Sequence, residues 1–301
     1  MKYFVARGED RRLDEVSRRD LRGSFASLTH GVTHYELSGP EDGPMAVLVG
    51  GLTTPLFYWD AMTPELHDRG IRTLAFSGYG RGYSDRVRRR YDEELFVQQL
   101  GELTEQLGIR RPFHLAGASM GALTAMAFAA SHASSVASMT LVAPAGLDRR
   151  PALHRVLARD WTATLVAKRF GDRFLQGHLD KEVLDPRHAV PLAEMLADAF
   201  RYEGSTHAVF DTLQHYPLFG RTERFRDTAN LRIPTSVLWG DTDRVTPTVA
   251  LEKAKVLLRP SKLHVIAQCG HMPPLERPSE VAAHFAAFVD TRESGRQHEP
   301  G

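Results

Sequence analysis

Leu115-Ala116-Gly117-Ala118-Ser119-Met120-Gly121 decides how this chain is read. A short apolar strand, Phe113 to Ala116, runs into Gly-x-Ser-x-Gly. A helical pattern follows at once, with Leu123, Met126, Ala127 and Ala130 at i, i+3, i+4 and i+7. A serine at the apex of such a strand-to-helix turn sits in a strained conformation with its hydroxyl pushed out of the sheet, the arrangement called a nucleophile elbow. Gly117 and Gly121 flank it because side chains there would clash in so tight a turn. The new helix aims its free N–H groups at whatever the serine attacks. The pentapeptide alone arises by chance in turns; the strand before it and the helix after it make it specific.

Strand and helix patterns alternate on both sides of this turn. Residues 24–29 and 32–38 read as two strands joined at His30-Gly31, and Met45 to Val49 as a strand buried on both faces. Gly50-Gly51-Leu52-Thr53-Thr54-Pro55 follows, then a helix marked by Phe57 or Trp59, Met62 and Leu66 that stops at Gly70. Arg72 to Phe76 is the next strand, and Ser77-Gly78-Tyr79-Gly80-Arg81-Gly82-Tyr83-Ser84-Asp85 the loop after it. Asp92 caps a helix with Phe96, Leu100, Leu103 and Leu107 inward. Beyond the serine, Val136 to Val142 is a strand. The alternation then stops between about 147 and 229, where helices are expected at Leu153 to Phe170, Pro186 to Tyr202 and Thr206 to Leu218, with aromatic residues scattered among them. It resumes at Thr235 to Trp239, with Thr246 and Pro247 as N-cap and N1 of a helix through Leu258. Lys262 to Ala267 is the last strand, and Pro278 opens a final helix with Val281, Phe285 and Phe288 inward.

This order predicts an α/β fold, a mostly parallel central sheet with helices on both faces and an inserted helical cap. The expected divisions are a charged arm (1–23), the first part of the core (24–146), the cap (147–229), the second part of the core (230–292) and a disordered tail (293–301). Within the arm, residues 9–22 carry five arginines around Leu13, Val16 and Leu21 and read as a solvated, partly frayed helix rather than a docking arm.

Composition bounds the function. The chain has 301 residues, 42% hydrophobic and 25% charged, which suits one α/β domain with an insertion. A formal net charge of +1 argues against nucleic acid as a partner. The one cysteine, Cys269, allows no internal disulfide and fits a reducing, cytoplasmic setting. The first residues lack the apolar run of a signal peptide, and no stretch approaches the ~18 apolar residues of a membrane span. There is no P-loop, no GxGxxG and no HExxH, so neither a cofactor nor a metal is expected.

A serine hydroxyl is a poor nucleophile until an adjacent base takes its proton, and the base needs an orienting partner. Ser119, Asp243 and His271 come in that order, each after the C-terminal end of an expected strand, where side chains converge in open α/β sheets. Asp241 competes for the acid role. Asp243 is preferred because Asp241 directly follows the strand-ending Gly240 and should shape the turn.

With its Gly-x-Ser-x-Gly, Gly240-x-x-Asp243 and Gly270-His271, the chain resembles the α/β-hydrolase-fold superfamily of serine hydrolases with a helical cap, over roughly residues 24 to 290. The resemblance implies that Ser119, Asp243 and His271 are the catalytic triad. It also implies that the backbone N–H groups of Leu52 and Met120 form the oxyanion hole. Two departures stand out. Gly50-Gly51 replaces the usual His-Gly, and Ser77 replaces the aspartate of Asp-x-x-Gly-x-Gly-x-Ser. Both remove polar bulk beside the hole and are expected to leave space there. The serine separates the chain from the haloalkane dehalogenase and epoxide hydrolase branches, which use aspartate.

The expected activity is hydrolysis of an ester, lactone or thioester of a mainly apolar small molecule, by a monomer or homodimer with no membrane partner. A carbon–carbon hydrolase, or a non-hydrolytic cyclase or lyase, stands on the same frame. A receptor-like module that binds without turnover is the reading from another class.

Overall fold

The unbroken apolar runs of the sequence form strands covered on both faces. In a computed structural model, which describes residues 1–109, 112–149, 157 and 159–296 (backbone alone at 172–181, 186, 295 and 296), they build an eight-stranded sheet. The strands are β1 (Ser24–Leu28), β2 (Gly31–Ser38), β3 (Met45–Val49), β4 (Arg72–Phe76), β5 (Phe113–Ala118), β6 (Val136–Val142), β7 (Thr235–Gly240) and β8 (Lys262–Ile266). Their spatial order is β1-β2-β4-β3-β5-β6-β7-β8. β1 and β2 run antiparallel at one edge, and every pair from β4 onward is parallel. Val49 lies beside Gly117 and Ala118 beside Val142, so the loops after β3, β5 and β6 leave the sheet together at its C-terminal rim.

Alternate residues of each strand face opposite ways. On one face Val47, Leu115, Met139, Leu141 and Val237 pack with α2 (Glu93–Gln106), α3 (Met120–Ser131) and α8 (Thr248–Leu258). On the other, Ala46, Leu48, Ala116 and Leu238 meet α1 (Thr63–His67) and α10 (Pro278–Arg296). Each fully buried aliphatic side chain contributes about 1.5–3 kcal/mol. Asp92 caps α2 as expected, accepting the Leu95 N–H at 3.1 Å.

Several expectations need correction. The helix expected from Phe57 to Leu66 is broken into a 3-10 turn, Leu56–Trp59, and the short α1, because Pro64 has no N–H with which to continue the preceding turn. Between β6 and β7 lie α4 (Asp160–Glu182), α5 (Pro186–Ala199), α6 (Ser205–His215) and α7 (Thr222–Asn230). α4 runs twelve residues past the expected end at Phe170, and 153–156 lie outside the described residues. The final helix continues to Arg296, so no tail begins at 293, and 297–301 lie outside the described residues. No helix among the described residues is long and apolar enough to cross a membrane.

The arm is not a solvated helix. Apart from a 3-10 turn at Ser17–Asp20 it is irregular, and it docks. Glu9 is buried and accepts the N–H groups of Gly204 and Thr206 at 2.8 and 2.7 Å, capping α6. Arg11 and Arg12 pair with Asp198 and Glu203, while Arg18 and Arg22 reach Asp85, Glu36 and Asp60 on the core. The arginines look solvated in sequence because their acidic partners lie far away along the chain.

Two buried histidines make the fold sensitive to acid. His34 of β2 sits under Phe25, Phe57 and Tyr83 with Nε2 on the Arg22 carbonyl, and burial pulls its pKa down to about 4. Burial does the same to His207 in α6, beneath Tyr3 and Phe4. The unfolded chain, with histidine near 6.5, takes up protons first, so this stability is present above about pH 6.5 and is lost as pH falls towards 4. His34 alone should cost about 2 kcal/mol between pH 7.5 and 5.0. Urea unfolding at those two pH values checks this: His34→Gln should narrow the difference by about that amount, and an unchanged difference would contradict it.

Candidate active site

The loops at the C-terminal rim carry the candidate residues. Ser119 stands between β5 and α3 at φ 53°, ψ −115°, a left-handed conformation rare for a side-chain-bearing residue. Hydrogen bonds fix it there. Its N–H reaches the Val142 carbonyl at 2.9 Å, and its own carbonyl accepts the N–H groups of Ala122 and Ala145 at 3.1 and 3.2 Å. The glycines are needed for the reason read from the sequence. A Cβ on Gly121 would collide with the carbonyl oxygens of Val49 and Gly50, and one on Gly117 with the carbonyl of Gly121.

Asp243 follows β7 and is buried, yet its charge is well met. Its Oδ1 accepts the N–H groups of Val245 and Thr246, both at 2.8 Å. Its Oδ2 accepts the Thr246 hydroxyl at 2.7 Å and lies 2.8 Å from His271 Nδ1. A carboxylate so placed accepts an N–H from Nδ1, which leaves Nε2 as the basic nitrogen. Thr246 therefore serves the Asp243 carboxylate, and the N-cap of α8 falls to Pro247, a correction to the expected capping. Asp241 is exposed and uses Oδ1 on the Cys269 N–H at 3.2 Å, the turn-shaping part expected of it.

His271 follows β8 and is held from behind. Its N–H reaches the carbonyl of Glu182, the last residue of α4, at 2.8 Å. The buried Glu276 of the short α9 (Pro273–Glu276) accepts the N–H groups of Gly270, Met272 and Leu184 at 3.0, 3.3 and 2.8 Å. One carboxylate thus ties the histidine loop to the inserted helices. Ser119 and His271 line a single narrow cavity of about 20 Å³, shared with Leu52, Thr53, Tyr58 and Glu182. The Ser119 hydroxyl has no hydrogen-bond partner among the described residues.

Leu52 lines the serine's cavity, and Met120 follows the serine in the chain. Met120 opens α3, where helix geometry leaves its N–H without an internal partner. Among the described residues the Leu52 N–H makes no hydrogen bond either, whereas that of Gly51 is taken by Thr54 Oγ1 at 2.8 Å. The space expected beside this loop is present behind Gly50 only, and it is small, a void of about 10 Å³ lined by Gly50, Gly51, Arg81, Phe96, Met120 and Thr124. None is left at Ser77, whose hydroxyl accepts the Leu56 N–H at 3.0 Å and meets His34 Nδ1 at 3.2 Å.

Cys269 is buried, and burial pushes its thiol pKa up, so it offers no competing nucleophile. Among the described residues no three His, Cys, Asp or Glu side chains are placed to hold a metal. Sequence reasoning missed Thr246, Glu276 and Arg81 as parts of this site. Only Arg81 carried a signal, a cation between two glycines in a tight turn, Gly80 at φ 79° and Gly82 at φ 48°.

Residues 44–278 match the family model described as alpha/beta hydrolase fold. Among curated proteins the chain is similar to the monoacylglycerol lipase abhd6-B of Xenopus laevis, 24% identical over 228 residues, covering 67% of this chain and 62% of that protein. It is also similar to the 2-hydroxy-6-oxo-6-(2'-aminophenyl)hexa-2,4-dienoic acid hydrolase of Metapseudomonas resinovorans, 23% identical over 240 residues, covering 78% and 79%. A thermophilic esterase from Thermogutta terrifontis superposes with a TM-score of 0.77 at 22% identity, over 90% of this chain and 99% of that one. The chain therefore spans less than two thirds of the Xenopus lipase and nearly all of the esterase.

Glu276→Ala should strand three N–H groups and lower the unfolding free energy by about 2–4 kcal/mol. Urea denaturation checks this, and a loss under about 0.5 kcal/mol would mean that the carboxylate does not hold the loop.

Proposed function

The chain belongs to the α/β-hydrolase-fold family, and from that premise we infer that it is a serine hydrolase cleaving an ester, lactone or thioester of a small, mainly apolar molecule. The observation that carries this reading is that Ser119 and His271 share one cavity while His271 Nδ1 lies 2.8 Å from the Asp243 carboxylate. His271 Nε2 takes the proton of the Ser119 hydroxyl as its oxygen attacks the substrate carbonyl. Asp243 holds the tautomer and stabilises the imidazolium. The N–H groups of Leu52 and Met120, which have no partner among the described residues, receive the negative charge that develops on the carbonyl oxygen. The tetrahedral intermediate collapses, His271 returns the proton to the departing alcohol or thiol, and an acyl group stays on Ser119. Water, deprotonated by His271, then releases the acid and restores the serine.

We assign α4 to α6 to a cap that closes the site. Two contacts support this: the end of α4 bonds the His271 backbone, and Glu182 forms part of the cavity wall. Closure over the serine would exclude water and select the acyl or leaving group. A second reading, hydrolysis of a carbon–carbon bond, has one observation in its favour, the likeness to the Metapseudomonas dienoic acid hydrolase.

A panel of p-nitrophenyl esters of rising chain length, run beside one ring-cleavage dienoate, separates the two. Ester turnover with no dienoate turnover is expected. In the same assay Asp243→Asn should lower kcat by about 10⁴, because an amide cannot fix the tautomer as a carboxylate does. Asp241→Asn should stay within about tenfold of the parent, since its oxygen acts on a turn and not on the imidazole. The reverse ranking would move the acid to Asp241.

A further inference from the structure

The loop that offers the Leu52 N–H begins with Gly50 and Gly51 and so brings little side-chain mass to its own support. What holds it comes from elsewhere. The Gly51 N–H is fixed by Thr54 Oγ1, and the Leu52 carbonyl is fixed by Arg81 Nε at 2.7 Å. These bonds pin the peptide units before and after the one that carries the Leu52 N–H, so the direction of that N–H follows from them. Arg81 is itself unusual. It is 2% exposed, makes no ion pair among the described residues, and burial pulls its pKa down to about 10, so it stays charged at neutral pH. Its Nη1 holds the Tyr79 carbonyl and its Nη2 the Thr212 hydroxyl of α6, each at 2.8 Å. The guanidinium carbon lies 5.2 Å above the Phe96 ring and 5.8 Å from that of Tyr91. Burying a cation without a carboxylate is costly, and aromatic faces and neutral acceptors offset only part of the cost. The same side chain borders the cavity behind Gly50, Gly51 and Met120.

We propose that Arg81 is a positioning residue for the oxyanion hole, aiming the Leu52 N–H through its carbonyl and coupling that geometry, through Thr212, to the inserted helix α6. This rests on the serine-hydrolase reading. It accounts for how the hole survives without the side chains absent at Gly50 and Ser77. It also makes the hole depend on whether α6 is in place, so that closure of the inserted helices and assembly of the oxyanion site become one event.

The test uses the full chain carrying Arg81→Gln or Thr212→Val. It reads kcat and KM on p-nitrophenyl acetate, inhibition by a trifluoromethyl ketone that forms a tetrahedral adduct, and the rate of fluorophosphonate labelling. Arg81→Gln should lower kcat by about 10²–10³ with KM within about threefold, and weaken trifluoromethyl ketone inhibition by a similar factor. Thr212→Val should shift both in the same direction by about tenfold. A purely structural role would not weaken the tetrahedral adduct in step with kcat. The proposal is overturned if folded Arg81→Gln keeps kcat within about threefold of the parent, or loses kcat while the ketone binds as before. Should Arg81→Gln fail to fold, an unchanged kcat in Thr212→Val overturns it. A parent protein that the fluorophosphonate does not label would instead sink the hydrolase reading itself.

Discussion

The close approach of three backbones at the serine turn is the constraint on which the rest depends. β5 ends beside β3, and α3 starts so near both that Gly121 has no room for a Cβ against Val49 and Gly50. Ser119 is left in a left-handed conformation that few side-chain-bearing residues adopt, at a cost on the order of 1–3 kcal/mol. The buried sheet over-determines that conformation, and the energy spent fixes a hydroxyl above the rim of the sheet. The same crowding brings the loop after β3 against the first turn of α3, with Gly51 close to Ser119. Strain and position are one feature seen two ways.

Buried carboxylates organise the other half of the site. Asp243 is taken from water but receives three hydrogen bonds from Val245 and Thr246 besides that of His271, so its charge is stabilised without a cation. Glu276 does comparable work one loop away, collecting N–H groups from the histidine loop and from the exit of α4. Arg81 is the opposite case, a buried cation satisfied by carbonyl, hydroxyl and aromatic faces. Glu276, Arg81 and the docked arm add polar ties between the inserted helices and the core, beside the apolar contacts through which Phe210, Leu213 and Leu196 share the two hydrophobic clusters of the sheet.

The parts of the molecule legible in the sequence share a physical character. Met45–Val49, Arg72–Phe76 and Val136–Val142 were readable to the residue because each is a mostly apolar run buried on both faces and bounded by glycine, proline or serine close by. Ser119, Asp243 and His271 were picked out by their places after expected strands; the structure sets Asp243 against His271 and Ser119 on the same cavity as His271. Asp243 and Asp241 could be told apart because one residue next to a strand end shapes the turn and another, two further on, can reach across the rim. What was not readable depends on partners distant along the chain. Glu276 and Arg81 act on backbone groups of other loops, which no spacing reports. The arm arginines resemble a solvated face until Asp198, Glu203 and Asp85 are brought to them. Thr246 carried the right signal for a helix cap, but its hydroxyl donates to the Asp243 carboxylate and the helix starts one residue later, with Pro247 as N-cap. The extent of α4 was missed at its C-terminal end, because Gly171 follows the expected stop at Phe170 and the helix runs through it to Glu182.

The central claim is that Ser119 is an activated nucleophile and not merely a strained turn residue. A fluorophosphonate reacts covalently only with a serine that has both a general base and an oxyanion site. Intact mass and peptide mapping after brief exposure to the probe should show one adduct per chain, on Ser119, with none on Ser119→Ala. A folded protein that takes up no probe, or carries the adduct on another residue, would contradict the account.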